Sequence, residues 1–204
     1  AFWPLWWMLW AGLNTLFITG DAFNAYVALE LIGLSAVALV AVAGDAPALR
    51  AALRYLLVSL AGSLAYLTGI ALLYGEFGYL DLAALAAALE AGPVPALALA
   101  VITAGLLMKT ALFPLHFWLP AAHSHAPGPV SAVLSALVVK AGFFLLLRFW
   151  FEVYGVWDTG QGTAVLGALG AVAVIWGSFQ ALAAARLKLL VAYSTVAQLG
   201  YLFL

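Results

Sequence analysis

Seven apolar stretches, each close to the length of a bilayer-crossing helix, constrain the fold more than any other feature of the sequence. A transmembrane helix needs about 20 mostly apolar residues, and the stretches cover residues 3–19, 23–43, 51–74, 96–119, 130–151, 163–183 and 189–204. They are rich in Ala, Leu and Gly, and they lack the alternation of polar and apolar residues that marks a membrane β-barrel. We therefore expect an all-α integral membrane protein, a bundle of about seven transmembrane helices.

The composition supports a membrane environment. The chain is 68% hydrophobic and 7% charged, whereas soluble domains are about 45–50% apolar and about 25% charged. The formal net charge of −1 leaves no basic face for a nucleic-acid partner. The absence of cysteine excludes thiolate metal sites and iron–sulfur ligation. We expect the lipid bilayer, and no nucleic acid, around this protein.

Charged residues in the connections sort by sign. Alternate connections carry the basic or histidine pairs Arg50 and Arg54, His123 and His125, and Arg186 and Lys188. The others carry Asp21, Glu76, Asp81, Glu90, Glu152 and Asp158, and Asp45 is the main exception on the basic side. The positive-inside rule predicts that the Arg50/Arg54 and Arg186/Lys188 connections are cytoplasmic, in the plasma membrane of a bacterium or archaeon.

Other features predict contacts with the membrane interface. Residues 80–90 are too few to span and are interpreted as a short amphipathic helix on the outer surface. A stripe with helical spacing is interpreted as a lipid-facing or helix-packing surface; it consists of Trp3, Trp6, Trp7 and Trp10. Aromatic residues near span ends suggest an interfacial belt; they are Trp118, Trp150, Tyr154 and Trp157.

Three ionisable residues, Glu30, Lys109 and Lys140, lie inside apolar stretches. Each costs roughly 2.5–3.5 kcal/mol to insert, and such residues commonly mark ion pathways. They therefore predict a protein that moves charge. Glu30 needs a proton or a cationic partner, for which Lys109 is the natural candidate. Two structural alternatives stay open: a lysine paired only for packing, and a protonated glutamate bonded to a neighbouring helix.

Pro114 follows Lys109 by five residues. A proline within a helix removes the hydrogen bond to the carbonyl four residues earlier, which here belongs to Thr110, the neighbour of Lys109. Broken helices at membrane depth line protein or water and recur at ion sites. We therefore predict a proline-broken helix that carries Lys109. Lys140, near the centre of its own span, cannot easily reach the interface.

The histidines His116, His123 and His125 fall close together at the basic end of the fourth stretch. A zinc site needs three or four convergent ligands, and no carboxylate or cysteine is nearby, so we expect neither a metal nor another cofactor. Histidine titrates near neutral pH, which makes proton entry and an ordinary loop role equally reasonable. No nucleophile–base pair, phosphate loop or dinucleotide fingerprint is present, so no catalytic residue is predicted.

Residues 109–149, KTALFPLHFWLPAAHSHAPGPVSAVLSALVVKAGFFLLLRF, resemble the signature of the antiporter-like membrane subunits. This family is shared by respiratory complex I, Mrp-type cation/proton antiporters and membrane-bound hydrogenases. YVALELIGLS around Glu30 and RLKLLVAYSTVAQLGY near the end resemble the same family, so the resemblance covers essentially the whole chain.

The resemblance implies a fold of two inverted five-helix repeats. Residues 1–204 would form a single membrane domain within a longer chain, with residues 1–151 as the first repeat-like unit and 163–204 as the start of the second. The chain begins at Ala1 rather than Met and ends within an apolar run, which also suggests a fragment. By resemblance, Glu30, Lys109 and Lys140 are the family's relay residues, and Lys188 is the charged residue that opens the next repeat's second helix. Ser135 replaces a histidine that some members carry five residues before the second lysine.

The implied function is translocation of protons, or of cations and protons, as one subunit among other membrane subunits. Na⁺ is the alternative ion, and whether the whole complex is an oxidoreductase or an antiporter stays open. The competing hypothesis is a scaffold subunit whose buried charges only fix helix packing. A sodium- or bicarbonate-linked transporter on the same framework is a third.

Overall fold

The computed structural model describes residues 2–155 and 160–204, which fold into ten α-helices and contain no β-strand. The first five are α1 (Phe2–Ile18), α2 (Ala22–Ala41), α3 (Ala46–Phe77), α4 (Leu82–Ala88) and α5 (Pro93–Thr110). After a 3₁₀ turn (Leu115–Trp118) come α6 (Leu119–His125), α7 (Gly128–Val133), α8 (Val139–Leu147), α9 (Gly160–Leu182) and α10 (Leu187–Tyr201). Two π turns, Leu134–Val138 and Arg148–Val153, join α7 to α8 and extend α8.

Aspartates begin three of these helices. The side chains of Asp21, Asp45 and Asp81 each accept a hydrogen bond from the backbone N–H three residues later, at 2.7, 2.7 and 2.9 Å. Such N-caps satisfy a helix donor that has no partner within the helix, and each stabilises its helix by about 1 kcal/mol. Capping of α3 therefore gives Asp45, the acidic exception among the basic connections, a local structural role.

Five stretches are long and apolar enough to cross a membrane: Ala22–Ala41, Ala46–Phe77, Pro93–His125, Gly128–Val153 and Gly160–Leu182. The first and last helices, with 17 and 15 residues, are shorter than the about 20 residues that span a bilayer. The all-α membrane fold is confirmed, whereas the predicted count of seven spans is not. The short helix expected within residues 80–90 is α4.

Small residues let the long helices approach closely. Helix α3 lies along α5, α2 packs between α1 and α3, and α9 pairs with α10. A Cβ added to Gly62 would stand 2.8 Å from the carbonyl oxygen of Gly105, so α3 and α5 approach at a distance that only glycine permits there. This close packing places the last turns of α5, with Lys109, inside the bundle.

Several of the charged residues in the connections line cavities. Arg54 and Arg186 line one cavity. Asp81, Arg148 and Glu152 line another, of about 580 Å³. Asp158, assigned from the sequence to the acidic side, lies outside the described residues.

The prediction that aromatic residues near span ends form an interfacial belt is wrong for two of them. Trp118 is 1% exposed and Tyr154 is 0% exposed, because each polar group bonds inside the protein, to the carbonyl oxygens of Met108 and Pro95. Trp157 lies outside the described residues. Much of the α1 stripe does face outward, since Trp3, Trp7 and Trp10 are 66, 63 and 48% exposed.

Candidate functional site

The helix that carries Lys109 is interrupted. Helix α5 ends at Thr110, Ala111 adopts a left-handed conformation with φ 56°, and the Phe113–Pro114 peptide bond is cis. A short 3₁₀ turn follows before α6 begins at Leu119. A non-glycine residue in the left-handed region is uncommon and costs of order 1 kcal/mol. The break predicted from Pro114 is therefore present, and it is wider than a kink.

Carbonyl groups near the C-terminal end of α5 accept hydrogen bonds from residues that follow the break. The N–H of Leu112 donates to the carbonyl oxygen of Leu107 at 3.3 Å. The indole N–H of Trp118 donates to the carbonyl oxygen of Met108 at 3.0 Å, and its ring stacks on Tyr55 with centroids 4.2 Å apart. The sequence did not single out this role for Trp118; the only signal was its position four residues after the proline.

Lys109 joins three helices through its ammonium group. The Nζ atom donates to Ser59 Oγ of α3 at 3.1 Å and lies 3.9 Å from Glu30 Oε1 of α2. The side chains of Lys109 and Glu30 are 7 and 19% exposed. The predicted pairing of Glu30 with Lys109 is thus present in the structure. The ammonium is held by these side chains and not by a carbonyl freed at Thr110.

The pair is long and incompletely bonded. Glu30 Oε1 is buried and has no hydrogen-bond partner within residues 2–155 and 160–204. At 3.9 Å the two groups attract each other without forming a direct hydrogen bond. Either group can therefore change partner without breaking a hydrogen bond to the other.

Two glycines make room for Lys109. A Cβ on Gly33 would stand 2.7 Å from Ser59 Oγ and 3.7 Å from Lys109 Nζ, and one on Gly62 would stand 3.2 Å from Lys109 Cγ. A cavity of about 10 Å³ lies beside the ammonium, with Ser59, Lys109, Val138 and Gly142 in its wall. That volume is near the minimum for one water molecule. Sequence reasoning did not connect Gly33, Ser59 or Gly62 with Lys109.

Lys140 has different surroundings. It is half-buried, and its Nζ donates to the carbonyl oxygen of Ser135 at 2.5 Å. That carbonyl belongs to the π turn Leu134–Val138, and π turns occur frequently at functional sites. No carboxylate lies within 4 Å of Lys140 in the described part of the chain.

Ser135 also connects Lys140 to the final helix. Its hydroxyl lies 2.7 Å from Thr195 Oγ1 of α10, and Thr195 in turn donates to the carbonyl oxygen of Val191 at 2.9 Å. Sequence reasoning noted Ser135 only as the replacement for a histidine and did not identify Thr195. Nothing in the local pattern of α10 distinguishes Thr195 from its neighbours.

The three histidines lie near the break but have separate environments. His123 is 1% exposed, and its Nδ1 lies 2.5 Å from Ser131 Oγ while its Nε2 is buried without a partner among the described residues. His116 and His125 instead line a cavity of about 570 Å³. The described residues contain no cluster of three His, Asp or Glu side chains that could hold a metal.

Lys188 fastens α10 to the connection between α6 and α7. Its Nζ donates to the carbonyl oxygen of Ala126 at 2.7 Å. Lys188 is therefore brought near the histidines, and in the described structure it has no ion pair with Glu30 or any other carboxylate.

Comparison with known proteins gives relatives along nearly the whole chain. NADH-quinone oxidoreductase subunit N of Desulforudis audaxviator is 42% identical over 100% of this chain and 41% of its own length. Among solved structures, a chain of the membrane-bound sulfane sulfur reductase, an archaeal respiratory membrane complex, superposes with a TM-score of 0.91 at 34% identity. That match covers 96% of this chain and 41% of the other.

A chain of the Mrp complex from Dietzia superposes with a TM-score of 0.88 at 28% identity, over 97% of this chain and 38% of its own length. The chain described here thus spans about two fifths of the length of these relatives. The family model for the NADH:quinone oxidoreductase/Mrp antiporter transmembrane proteins matches residues 19–204. The chain therefore belongs to this family of integral membrane proteins, as its sequence motifs predict.

Proposed function

We propose that this chain forms the relay-bearing part of a membrane subunit that moves protons, or cations and protons, across a membrane within a multisubunit complex. The observation that carries the proposal is the Lys109–Glu30 pair. A lysine whose side chain is 7% exposed faces a glutamate 3.9 Å away, inside two stretches that are long enough to span. Ionisable groups at this depth are costly, and ion pathways are their commonest use.

The proposed path has three steps. A proton enters near His116, His123 and His125 and reaches Lys109 through the break. While Glu30 stays near, its charge favours the ammonium form of Lys109; when Glu30 moves away, or a neighbouring charge changes, Lys109 releases the proton. The cavity beside Lys109, walled by Val138 and Gly142, offers space for a single water on the side of the helix that carries Lys140.

Lys140 then passes the proton towards α10. The support is that Lys140 donates to the carbonyl oxygen of Ser135, the residue whose hydroxyl lies 2.7 Å from Thr195 Oγ1. The carbonyl only accepts a hydrogen bond, so a water that bridges Lys140 and the Ser135 hydroxyl would carry the proton between them. Hydroxyl groups both donate and accept hydrogen bonds, so this pair can take the place of the histidine that some family members carry. Residues 1–151 would be the first repeat and residues 163–204 the start of the second, which makes this contact the link between them.

The sidedness proposed from the charges is that Arg50, Arg54, Arg186 and Lys188 face the cytoplasm of a bacterium or archaeon. The chain contains no cysteine, so within it Arg50→Cys and Glu76→Cys would each introduce a single thiol. A membrane-impermeant maleimide applied outside intact cells should label Glu76→Cys and spare Arg50→Cys. The opposite pattern would invert the proposed direction of entry.

Transport is tested with the full-length subunit in its complete complex, in vesicles that report pH through a fluorescent dye. Lys109→Met removes the titratable amine and Glu30→Gln removes its counter-charge, so each should reduce transport at least tenfold per assembled complex. Arg50→Gln, which removes an exposed cation at the basic end, is the matched control and should transport normally. Exchanging Na⁺ for K⁺ in the same assay separates proton transport from sodium-coupled transport.

Normal transport by Lys109→Met in an assembled complex would contradict the proposal. It would favour a scaffold in which Lys109 only holds α2, α3 and α5 in register. Loss of assembly without a specific loss of transport would favour the same scaffold.

A further inference from the structure

The cavity of about 570 Å³ that is lined by His116 and His125, where the proposed ion path begins, also contains two arginines that the path does not use. It opens between α3, the broken-helix segment and the α9–α10 pair. Two arginines line it: Arg54 from α3 and Arg186 from the residue before α10. The polar part of the wall also includes His116, Ser124, His125, Gln180 and Tyr193.

The positive charge of this cavity is not balanced by the described residues. No aspartate or glutamate lines it, and neither arginine has a carboxylate within 4 Å in residues 2–155 or 160–204. The acidic residue nearest to Arg54 in sequence, Asp45, is engaged in capping α3. The two arginines therefore have no counter-charge among the described residues.

The wall also has a partly exposed apolar section. Phe113, Phe117, Trp176 and Leu189 contribute to it, and Phe117 and Trp176 are 51 and 41% exposed. Arg54 lies in the N-terminal third of α3, and Arg186 directly precedes α10. Basic pockets between transmembrane helices are known binding sites for anionic lipid head groups.

We propose that this cavity binds the phosphate head group of an anionic phospholipid, with an acyl chain against Phe117 and Trp176. Guanidinium groups bind phosphate oxygens through paired, charge-assisted hydrogen bonds, and Arg54 and Arg186 bring two such groups to the cavity. A free phosphate ion would satisfy the arginines and leave the aromatic wall uncovered, so the lipid is the better match. The site would join α3, the broken-helix segment and the α9–α10 pair, and its test measures lipid binding and does not depend on transport.

The test uses the full-length protein in its complex, in nanodiscs of phosphatidylcholine that contain a small fraction of phosphatidylglycerol. Native mass spectrometry after gentle release counts the lipids that stay bound. We expect retained phosphatidylglycerol in the unmodified protein and about a tenfold lower occupancy in Arg54→Gln/Arg186→Gln, since two charge-assisted contacts are lost. Arg50→Gln, on the same helix but outside the cavity wall, should retain the lipid.

Three results would overturn the proposal. Equal losses in Arg50→Gln and the double variant would indicate general attraction between the basic surface and anionic lipid. Displacement of the lipid by millimolar inorganic phosphate would indicate a site for the free ion. A photoreactive amino acid at position 117 should capture lipid, and capture of polypeptide instead would show that another subunit, or another part of the full-length chain, fills the cavity.

Discussion

The two buried lysines occupy similar apolar stretches, yet the structure stabilises their charges in different ways. Lys109 lies in a closely packed site where an opposite charge, Glu30, is 3.9 Å away and Ser59 accepts a hydrogen bond. Lys140 is half-buried and bonds to a neutral carbonyl of a π turn. One ammonium is compensated by a charge, and the other by a backbone dipole.

This difference separates two ways of controlling a proton. A counter-charge holds the proton on Lys109 for as long as Glu30 stays close, so control lies in the position of one side chain. A backbone dipole is fixed by the helix, so control at Lys140 lies in which hydroxyls and waters reach it. Mutations should therefore act through electrostatics at Lys109 and through hydrogen bonding at Lys140.

The largest expected contrast is in stability when each lysine is removed. Lys109→Met leaves Glu30 buried beside an apolar side chain, and loss of one partner of a buried pair destabilises by about 3–5 kcal/mol. Lys140→Met leaves one carbonyl without its donor, which costs about 1–3 kcal/mol. The thermal unfolding midpoint of the full-length protein in detergent should fall more for Lys109→Met.

A double substitution tests whether the unpaired charge of Glu30 causes the loss of stability in Lys109→Met. Lys109→Met/Glu30→Gln removes both charges, and its unfolding midpoint should return most of the way to that of the unmodified protein. Failure to recover would mean that Lys109 contributes by filling space, and the electrostatic contrast between the two lysines would then be wrong.

A methyl group at Gly33 should disturb only the Lys109 site. The added Cβ would stand 2.7 Å from Ser59 Oγ, so Ser59 must turn and its bond to Lys109 is lost. Overpacking of this kind costs typically 1–3 kcal/mol. Gly33→Ala should lower the unfolding midpoint, and Gly33→Ala/Ser59→Ala, which removes the clashing hydroxyl, should restore part of it.

Gly75 provides the matched control, because a Cβ there would meet no atom within 4 Å. Gly75→Ala, in the last turn of α3, should leave the midpoint unchanged or raise it slightly. Equal effects at the two glycines would show that Gly33 matters for helix propensity and not for contact with the Lys109 site.

The indole of Trp118 should matter for the break beside Lys109 and not for Lys140. Trp118→Phe keeps much of the stacking on Tyr55 but leaves the carbonyl of Met108 without the donor that now lies at 3.0 Å. An unsatisfied buried acceptor costs about 1–3 kcal/mol. Hydrogen exchange of the full-length protein should increase around residues 107–112 and stay unchanged around residues 134–140; an unchanged break would show that the indole is dispensable.

The sequence predicts where the two lysines lie but not how the environments of their ammonium groups differ. The position of Glu30, Lys109 and Lys140 inside apolar stretches can be read from hydropathy, and Pro114 predicts the break in the helix. Both signals are local in the sequence. The pairing of Glu30 with Lys109 could be inferred because few other charges are buried. The acceptor that bonds each lysine ammonium depends on how helices that are distant in sequence pack together. Hydropathy carries no information about that packing.

The aromatic residues show the same limit. Position near a span end predicted an interfacial belt for both Trp118 and Trp150, yet Trp118 turns inward to close the end of α5. The left-handed conformation of Ala111 has no sequence signal either, since alanine normally favours a helix. Local sequence signals therefore located the break but could not predict which residues bond to the carbonyl groups at the end of α5.

The smallest expected effect is at the far end of the Lys140 chain of contacts. Thr195→Val keeps the shape of the side chain and removes the hydroxyl 2.7 Å from Ser135, a net loss of about 0.5–1.5 kcal/mol. If protons pass from Lys140 towards α10 through this pair, transport by the assembled complex should slow several-fold. Thr195→Ser, which restores the hydroxyl, should recover the rate.

Thr68 separates a transport role from a general effect of removing a helical threonine. Like Thr195, it donates to the carbonyl four residues earlier, at 2.8 Å, but it is exposed and has no hydroxyl partner on another helix among the described residues. Thr68→Val should therefore transport at the normal rate. If Thr195→Val also transports normally, Lys140 passes its proton by another route, and its bond to the π turn alone distinguishes it from Lys109.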